Sequence, residues 1–169
     1  MKTIYLVRHA KSDWSGPIER DHDRPLAPRG VEAATRMGAW LAATDAPPQK
    51  VVSSTARRTR ETVRLMLDAA GWSVPVTYSS ALYETDGERY LEVLRALPKR
   101  VGRVMLVGHE PACSECVGLL IGGGGVRFAT TTIARIDLAC ATWEAIQPGA
   151  GELYWLMPAR FRPVDPIGD

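Results

Sequence analysis

The chain has 169 residues, 46% of them hydrophobic and 24% charged, with 21 Lys and Arg against 19 Asp and Glu for a formal charge of +2. These values fit an ordinary globular protein and exclude disordered and collagen-like chains. A surplus this small is no argument for nucleic acid or an acidic membrane surface. The three cysteines are an odd set, which suits a reducing compartment better than a disulfide framework. The apolar run before Arg8 and His9 is too short for a secretory segment, and nothing nears the roughly 18 apolar residues of a spanning helix. A soluble cytoplasmic protein is expected, a monomer with one domain over residues 1–169 and no nucleic-acid or membrane partner.

In chain order, residues 4–7 are a short apolar run that predicts a buried strand ending at Arg8-His9. Residues 13–28 are polar and carry Gly16, Pro17, Pro25 and Pro28, so a loop is expected there. A helix from near Arg29 places Ala33, Met37, Trp40 and Leu41 on one face, and Pro47 and Pro48 close that region. Val51 and Val52 start a second strand. Ser54 is placed to cap a helix over about 55–70, closed by Gly71. Residues 74–78 predict a third strand, 88–97 a short helix, and 104–107 a fourth strand that runs into Gly108-His109-Glu110-Pro111. Pro111 suits the first turn of the next helix, which the glycines at 122–125 end. Alternation over 130–138 and an apolar run over 153–157 predict two last strands, and the tail from 158 to 169 is expected to be peripheral.

Strands alternating with helices over the first 121 residues predict a three-layer αβα sandwich around a mostly parallel sheet. Ligands of such sheets bind at the carboxyl ends of the strands. Arg8 and His9, Ser54 and Arg58, Glu84, and His109 each follow a different strand, so the topology would gather them at one edge. Arginines and histidines in one place make an anion site, because the planar guanidinium matches phosphate oxygens in pairs. Arg57, Arg58 and Arg60 at a helix start conflict with the helix dipole, and a bound anion would offset that conflict. A neutral imidazole is a good nucleophile toward phosphorus, guanidiniums stabilise the transferring group, and a carboxylic acid can protonate the leaving atom.

Three segments make the chain resemble the histidine phosphatase superfamily, the phosphoglycerate-mutase-like proteins, and among them the small SixA-like phosphohistidine phosphatases. They are L-V-R-H-A-K-S at 6–12, S-T-A-R-R-T-R-E-T at 54–62 and V-G-H-E-P at 107–111. D-R-P-L-A-P-R-G at 23–30 and F-A-T-T-T-I-A-R-I at 128–136 are similar to the SixA group as well. The resemblance implies a phosphoglycerate-mutase-like fold and a metal-independent phosphatase that needs no cofactor. It implies His9 as the nucleophile, with Arg8, Arg58 and His109 completing the phosphate pocket and Ser12 also touching phosphate. Arg58 is the match rather than Arg57, because Ser54 precedes it by four residues and Thr62 follows it by four. Glu84 in L-Y-E matches the acid of related phosphatases, and Asp21 and Asp23 are other donor candidates. Ala10 stands where the signature has glycine, Thr55 where proline is usual and Glu61 where glutamine is usual. The implied substrate is a phosphorylated protein, such as a histidine phosphotransfer domain, or a small phosphoester. A mutase and a silent phosphate-binding module are the other readings.

Several residues have plainer readings. His22 lies in a polar loop and is expected to be exposed, and Arg60 and Arg64 belong to a solvated helix face. Cys113 and Cys116 form a C-x-x-C without a second pair, which favours core residues over zinc or redox chemistry. The five tryptophans are expected to serve packing.

Overall fold

The computed structural model describes residues 1–17 and 19–161, so most of the predicted peripheral tail lies outside the described residues. Six strands form one sheet: β1 (Lys2–Arg8), β2 (Lys50–Ser54), β3 (Val76–Ser79), β4 (Arg103–Gly108), β5 (Ile133–Leu138) and β6 (Gly151–Met157). Their order across the sheet is β3-β2-β4-β1-β5-β6. The first four strands are mutually parallel, and β5 runs antiparallel to both β1 and β6. The mostly parallel α/β sheet expected from the sequence is therefore present.

The continuous apolar runs of β1 and β4 reflect burial on both faces. Ile4, Leu6, Val104 and Leu106 enter one core, and Tyr5, Val7, Met105 and Val107 the other. Helices α1 (Pro28–Thr44) and α2 (Arg57–Ala70) cover the second face. They supply Ala34, Met37, Leu41, Val63 and Met66 at helical spacing. On the first face lie α3 (Gly87–Arg95) and α4 (Ala112–Leu120), with Tyr90, Leu91, Leu94, Cys113 and Cys116 turned inward. Both cysteines are free and buried, and burial pushes the Cys116 thiol up to about 12. That suits core residues better than thiolate chemistry.

Three local expectations change. Ser54 does not cap α2. It remains the last residue of β2, and the helix begins after Ala56 without a side-chain cap. The hydroxyl is committed elsewhere, as described below. Trp14 is 71% exposed, and the Arg24 guanidinium lies over its ring at 3.2 Å, so it shields a cation instead of filling core. His22 is only half-exposed, because its ring packs edge-on against Tyr83 and bonds Thr55 Oγ1 at 2.9 Å.

The contact between α1 and α2 is close because Gly38 has no side chain. A Cβ there would meet the Met66 carbonyl oxygen at 2.3 Å and the Met66 Cα at 2.6 Å. Backbone cannot yield as a flexible side chain can, so Gly38→Ala is expected to destabilise the fold by about 1–3 kcal/mol. The check is a lower urea midpoint with an unchanged m-value.

Candidate active site

In the register between β1 and β4, Arg8 pairs with Gly108 at the carboxyl ends of both strands. The next residue on each strand is a histidine. The His9 amide donates to the Gly108 carbonyl at 2.9 Å, and the two imidazole centroids lie 5.1 Å apart. Both rings are buried.

Hydrogen-bond partners fix the tautomers. His9 Nδ1 faces the Ala10 carbonyl oxygen at 2.7 Å, and a carbonyl only accepts, so Nδ1 carries the proton and Nε2 keeps its lone pair. His109 Nδ1 lies 3.3 Å from Arg58 Nη2. A guanidinium only donates, so this Nδ1 accepts, and His109 Nε2–H donates to Ser54 Oγ at 2.8 Å. The same Ser54 hydroxyl also accepts the amide of Ala56, the residue before α2, at 3.3 Å.

Burial, and then the Arg58, Arg8 and Arg24 charges, bring the His9 pKa from 6.5 to about 3, against the opposing bond to Ala10. Burial, and then the charges of His9, Arg58 and Arg8, bring His109 to about 3 as well. Both imidazoles are therefore neutral near pH 7, the form a nucleophile needs.

Three guanidiniums supply the positive field. Arg8 Nη1 donates to the Phe128 carbonyl at 2.7 Å, and Arg8 Nε is buried without a partner. Arg58, on the first turn of α2, is buried beside His109. Arg24 is the residue that sequence reasoning missed. It is buried, its charge reaches both His9 and Arg58, and its Nη1 has no partner. The one available signal was its place in D-R-P-L-A-P-R-G, which carried a family resemblance but no role. Glu61 pins the loop that brings Arg24 in, accepting the Leu26 amide at 2.8 Å. Buried guanidinium donors without acceptors are costly to leave unmade, and they mark where an anion would be satisfied.

Asp21 stands opposite this field. Its carboxylate pairs with Arg24 and lies 2.9 Å from Arg58 Nη2, and its carbonyl accepts from Arg58 Nη1 at 2.8 Å. Tyr83 Oη donates to Asp21 Oδ2 at 3.1 Å. The sequence suggested no carboxylate partner for these arginines, yet Asp21 holds two of them. An anion entering the site would compete with that carboxylate for the same donors.

Glu84 is exposed, with φ of 49°, and it shares with His109 a cleft of about 450 Å³ that also touches Tyr90 and Pro111. Asp23 is exposed beside His22. Ser12 is buried, and its backbone bridges Leu26. Among the described residues, no hydrogen bond joins its hydroxyl to His9, Arg58 or His109. Arg57 is exposed and pairs with Glu61 at 2.8 Å, outside the pocket.

Two further residues hold the histidines in place. Tyr90 Oη accepts the His109 amide at 2.9 Å and donates to the Leu82 carbonyl at 3.2 Å. A Cβ on Gly108 would fall 1.8 Å from that hydroxyl, which explains the glycine before His109. Thr62 Oγ1 accepts the Ala10 amide at 3.0 Å and donates to the Arg58 carbonyl at 2.6 Å, tying the His9 turn to α2.

The profile of the histidine phosphatase superfamily (branch 1) matches residues 4–104. An uncharacterised protein of Mycobacterium leprae is 34% identical over 159 residues, covering 87% of this chain and 96% of its own. A candidate SixA phosphohistidine phosphatase from Nakamurella multipartitia superposes with a TM-score of 0.80 at 32% identity, covering 93% of this chain and 95% of its own. A second SixA candidate, from Agrobacterium tumefaciens, superposes with a TM-score of 0.78 at 29% identity, covering 93% and 97%.

Two outcomes follow from this electrostatic arrangement. Well above pH 6.5 both histidines are neutral in the folded and unfolded states alike. As pH falls from 6.5 toward 3, the unfolded chain takes up protons that the folded site refuses, so stability falls. The slope is up to roughly 1.4 kcal/mol per pH unit for each imidazole. Urea midpoints measured from pH 7.5 to 5 are expected to drop, and to drop less steeply in His9→Gln. Asp21→Asn removes the competing charge while keeping a side chain that can bond Arg58. Calorimetric titration with inorganic phosphate is expected to show tighter binding than wild type, by up to about tenfold.

Proposed function

Because the chain belongs to the histidine phosphatase superfamily, we propose that it is a metal-independent phosphatase that works through a phosphorylated His9 on protein phosphohistidine. Phosphatase chemistry is the activity that the superfamily and the SixA likenesses support. The observation that carries the finer reading is His9 itself. It is a buried neutral imidazole whose Nδ1–H is committed to Ala10, leaving the Nε2 lone pair free in the field of three guanidiniums.

In the first step His9 Nε2 attacks phosphorus in line. The P–N bond to the substrate imidazole breaks, and its electron pair stays on the departing nitrogen. Arg8, Arg24 and Arg58 take up the charge of the equatorial oxygens, the work a metal ion does elsewhere. His109 donates to an oxygen once the phosphoryl dianion beside it favours its protonated form. In the second step water attacks the phosphorus of phospho-His9, inorganic phosphate leaves, and the imidazole is restored. A departing imidazole is a better leaving group than an alkoxide, so a dedicated acid is dispensable. The cleft beside His109 has exposed Glu84 and Asp86 at its rim, an opening that suits a histidine presented by another protein, such as a histidine phosphotransfer domain. Glu84 favours a second reading, because a carboxyl group at that rim could protonate the alkoxide of a small phosphomonoester.

The test follows phosphate release from an aryl phosphate, an alkyl phosphate and a phosphorylated histidine phosphotransfer domain, all with a metal chelator present. Wild type is expected to turn over the phosphodomain, and His9→Ala to lose activity by on the order of 10³-fold or more. Glu84→Gln is expected to leave phosphodomain turnover unchanged while slowing the alkyl ester. Turnover of the esters with none of the phosphodomain would replace the protein substrate by a small phosphoester. Full activity in His9→Ala would remove the covalent mechanism.

A further inference from the structure

Behind the signature turn lies a second cavity, of about 350 Å³, lined by Lys11, Arg29, Arg36, Thr130, Thr131 and Arg160 together with alanines. It shares no residue with the cleft beside His109. Four cationic side chains converge on it from three parts of the chain, and no carboxylate lines it among the described residues. Among those residues none of the four cations takes part in an ion pair. Arg36 Nη2 donates to the Ala159 carbonyl at 2.8 Å, while its Nε is buried with no partner. Like charges gathered without a counter-charge repel one another, and an anion removes that repulsion.

A separate observation marks the same place. Thr131 is fully buried with φ of 62°, a left-handed conformation that a β-branched residue adopts only at a cost. Its amide donates to the carbonyls of both Arg8 and His9, at 3.2 and 3.1 Å. The strained residue thus forms a wall of the second cavity and also braces the backbone of the catalytic pair.

We infer that this cavity is a second anion site, separate from the catalytic pocket, that takes a small free polyanion bearing two or more phosphate groups. The volume lies at the low end for ligand sites and suits a group the size of pyrophosphate. Arg29 and Arg160 reach it from the solvent side, and Lys11 and Arg36 from deeper in. The inference does not depend on the phosphohistidine reading, because none of these side chains takes part in the catalytic pocket.

Calorimetric titration of the full chain with inorganic pyrophosphate, in a low-salt buffer free of metal, sulfate and phosphate, tests it. The expected result is one equivalent of pyrophosphate that survives Arg58→Ala and weakens by at least about tenfold in Arg29→Glu/Arg160→Glu. Arg29 lies in the first turn of α1, where a carboxylate suits the helix dipole, so loss of binding there does not signal unfolding. Lys11→Met is the independent second variant and is expected to weaken the same equivalent. The doubly reversed protein is expected to keep wild-type turnover of the aryl phosphate, a readout that separates this cavity from the catalytic one. Pyrophosphate binding abolished by Arg58→Ala, or unmoved by the double reversal and by Lys11→Met, would overturn the inference, as would no binding at all.

Discussion

The parallel pairing of β1 with β4 sets Arg8 level with Gly108, and the site depends on that register. The chain continues from each strand end into a histidine, and the bond from the His9 amide to the Gly108 carbonyl carries the pairing one step past the strands. A slip of one residue in either strand would turn its side chains to the opposite face and separate the two imidazoles. The cores on both sheet faces resist such a slip, since Ile4 and Leu6 are matched to one helical layer and Tyr5 and Val7 to the other. The packing that stabilises the fold is in this way the same packing that aligns the histidines.

Around that pair the protein gathers positive charge faster than it neutralises it. Three guanidiniums reach the pocket, and Asp21 answers only two of them. Arg8 Nε and Arg24 Nη1 remain buried and unbonded. Such a site costs stability when empty and recovers it when an anion enters. Neutral imidazoles lower that cost, because protonating either would add a fourth charge. Burial first, and then this same positive field, keep His9 neutral.

Residues outside the reaction hold this arrangement in place. Tyr90 fills the space that Gly108 leaves and bonds the His109 amide. Thr62 ties the turn after His9 to the carbonyl of Arg58. Glu61 fastens the loop that delivers Arg24. Each bond joins segments distant in sequence, so the two histidines and the arginines are positioned as one unit.

Much of this was legible in the sequence. Apolar runs over 4–7 and 104–107 announced strands buried on both faces, and Ala33, Met37, Trp40 and Leu41 announced a helix packed on one side, where Ala34 is buried as well. His9, Arg8, Arg58 and His109 could be read as neighbours because parallel strands present their carboxyl ends together. Arg24 could not, because its loop has no periodicity and is brought to the pocket by long-range bonds such as that of the Leu26 amide to Glu61. Ser54 read as a helix cap because local pattern weighs only local partners, whereas its hydroxyl also bonds His109, 55 residues away. Asp21 was a donor candidate from its place in the loop, and only the folded chain shows it bound to Arg24 and Arg58. The sequence by itself determined the elements, their order and the chemical types that meet at the sheet edge, since periodicity and turn residues act within a few positions. Tertiary structure alone decided which donors are paired and which are left open, because burial and charge depend on segments that folding brings together.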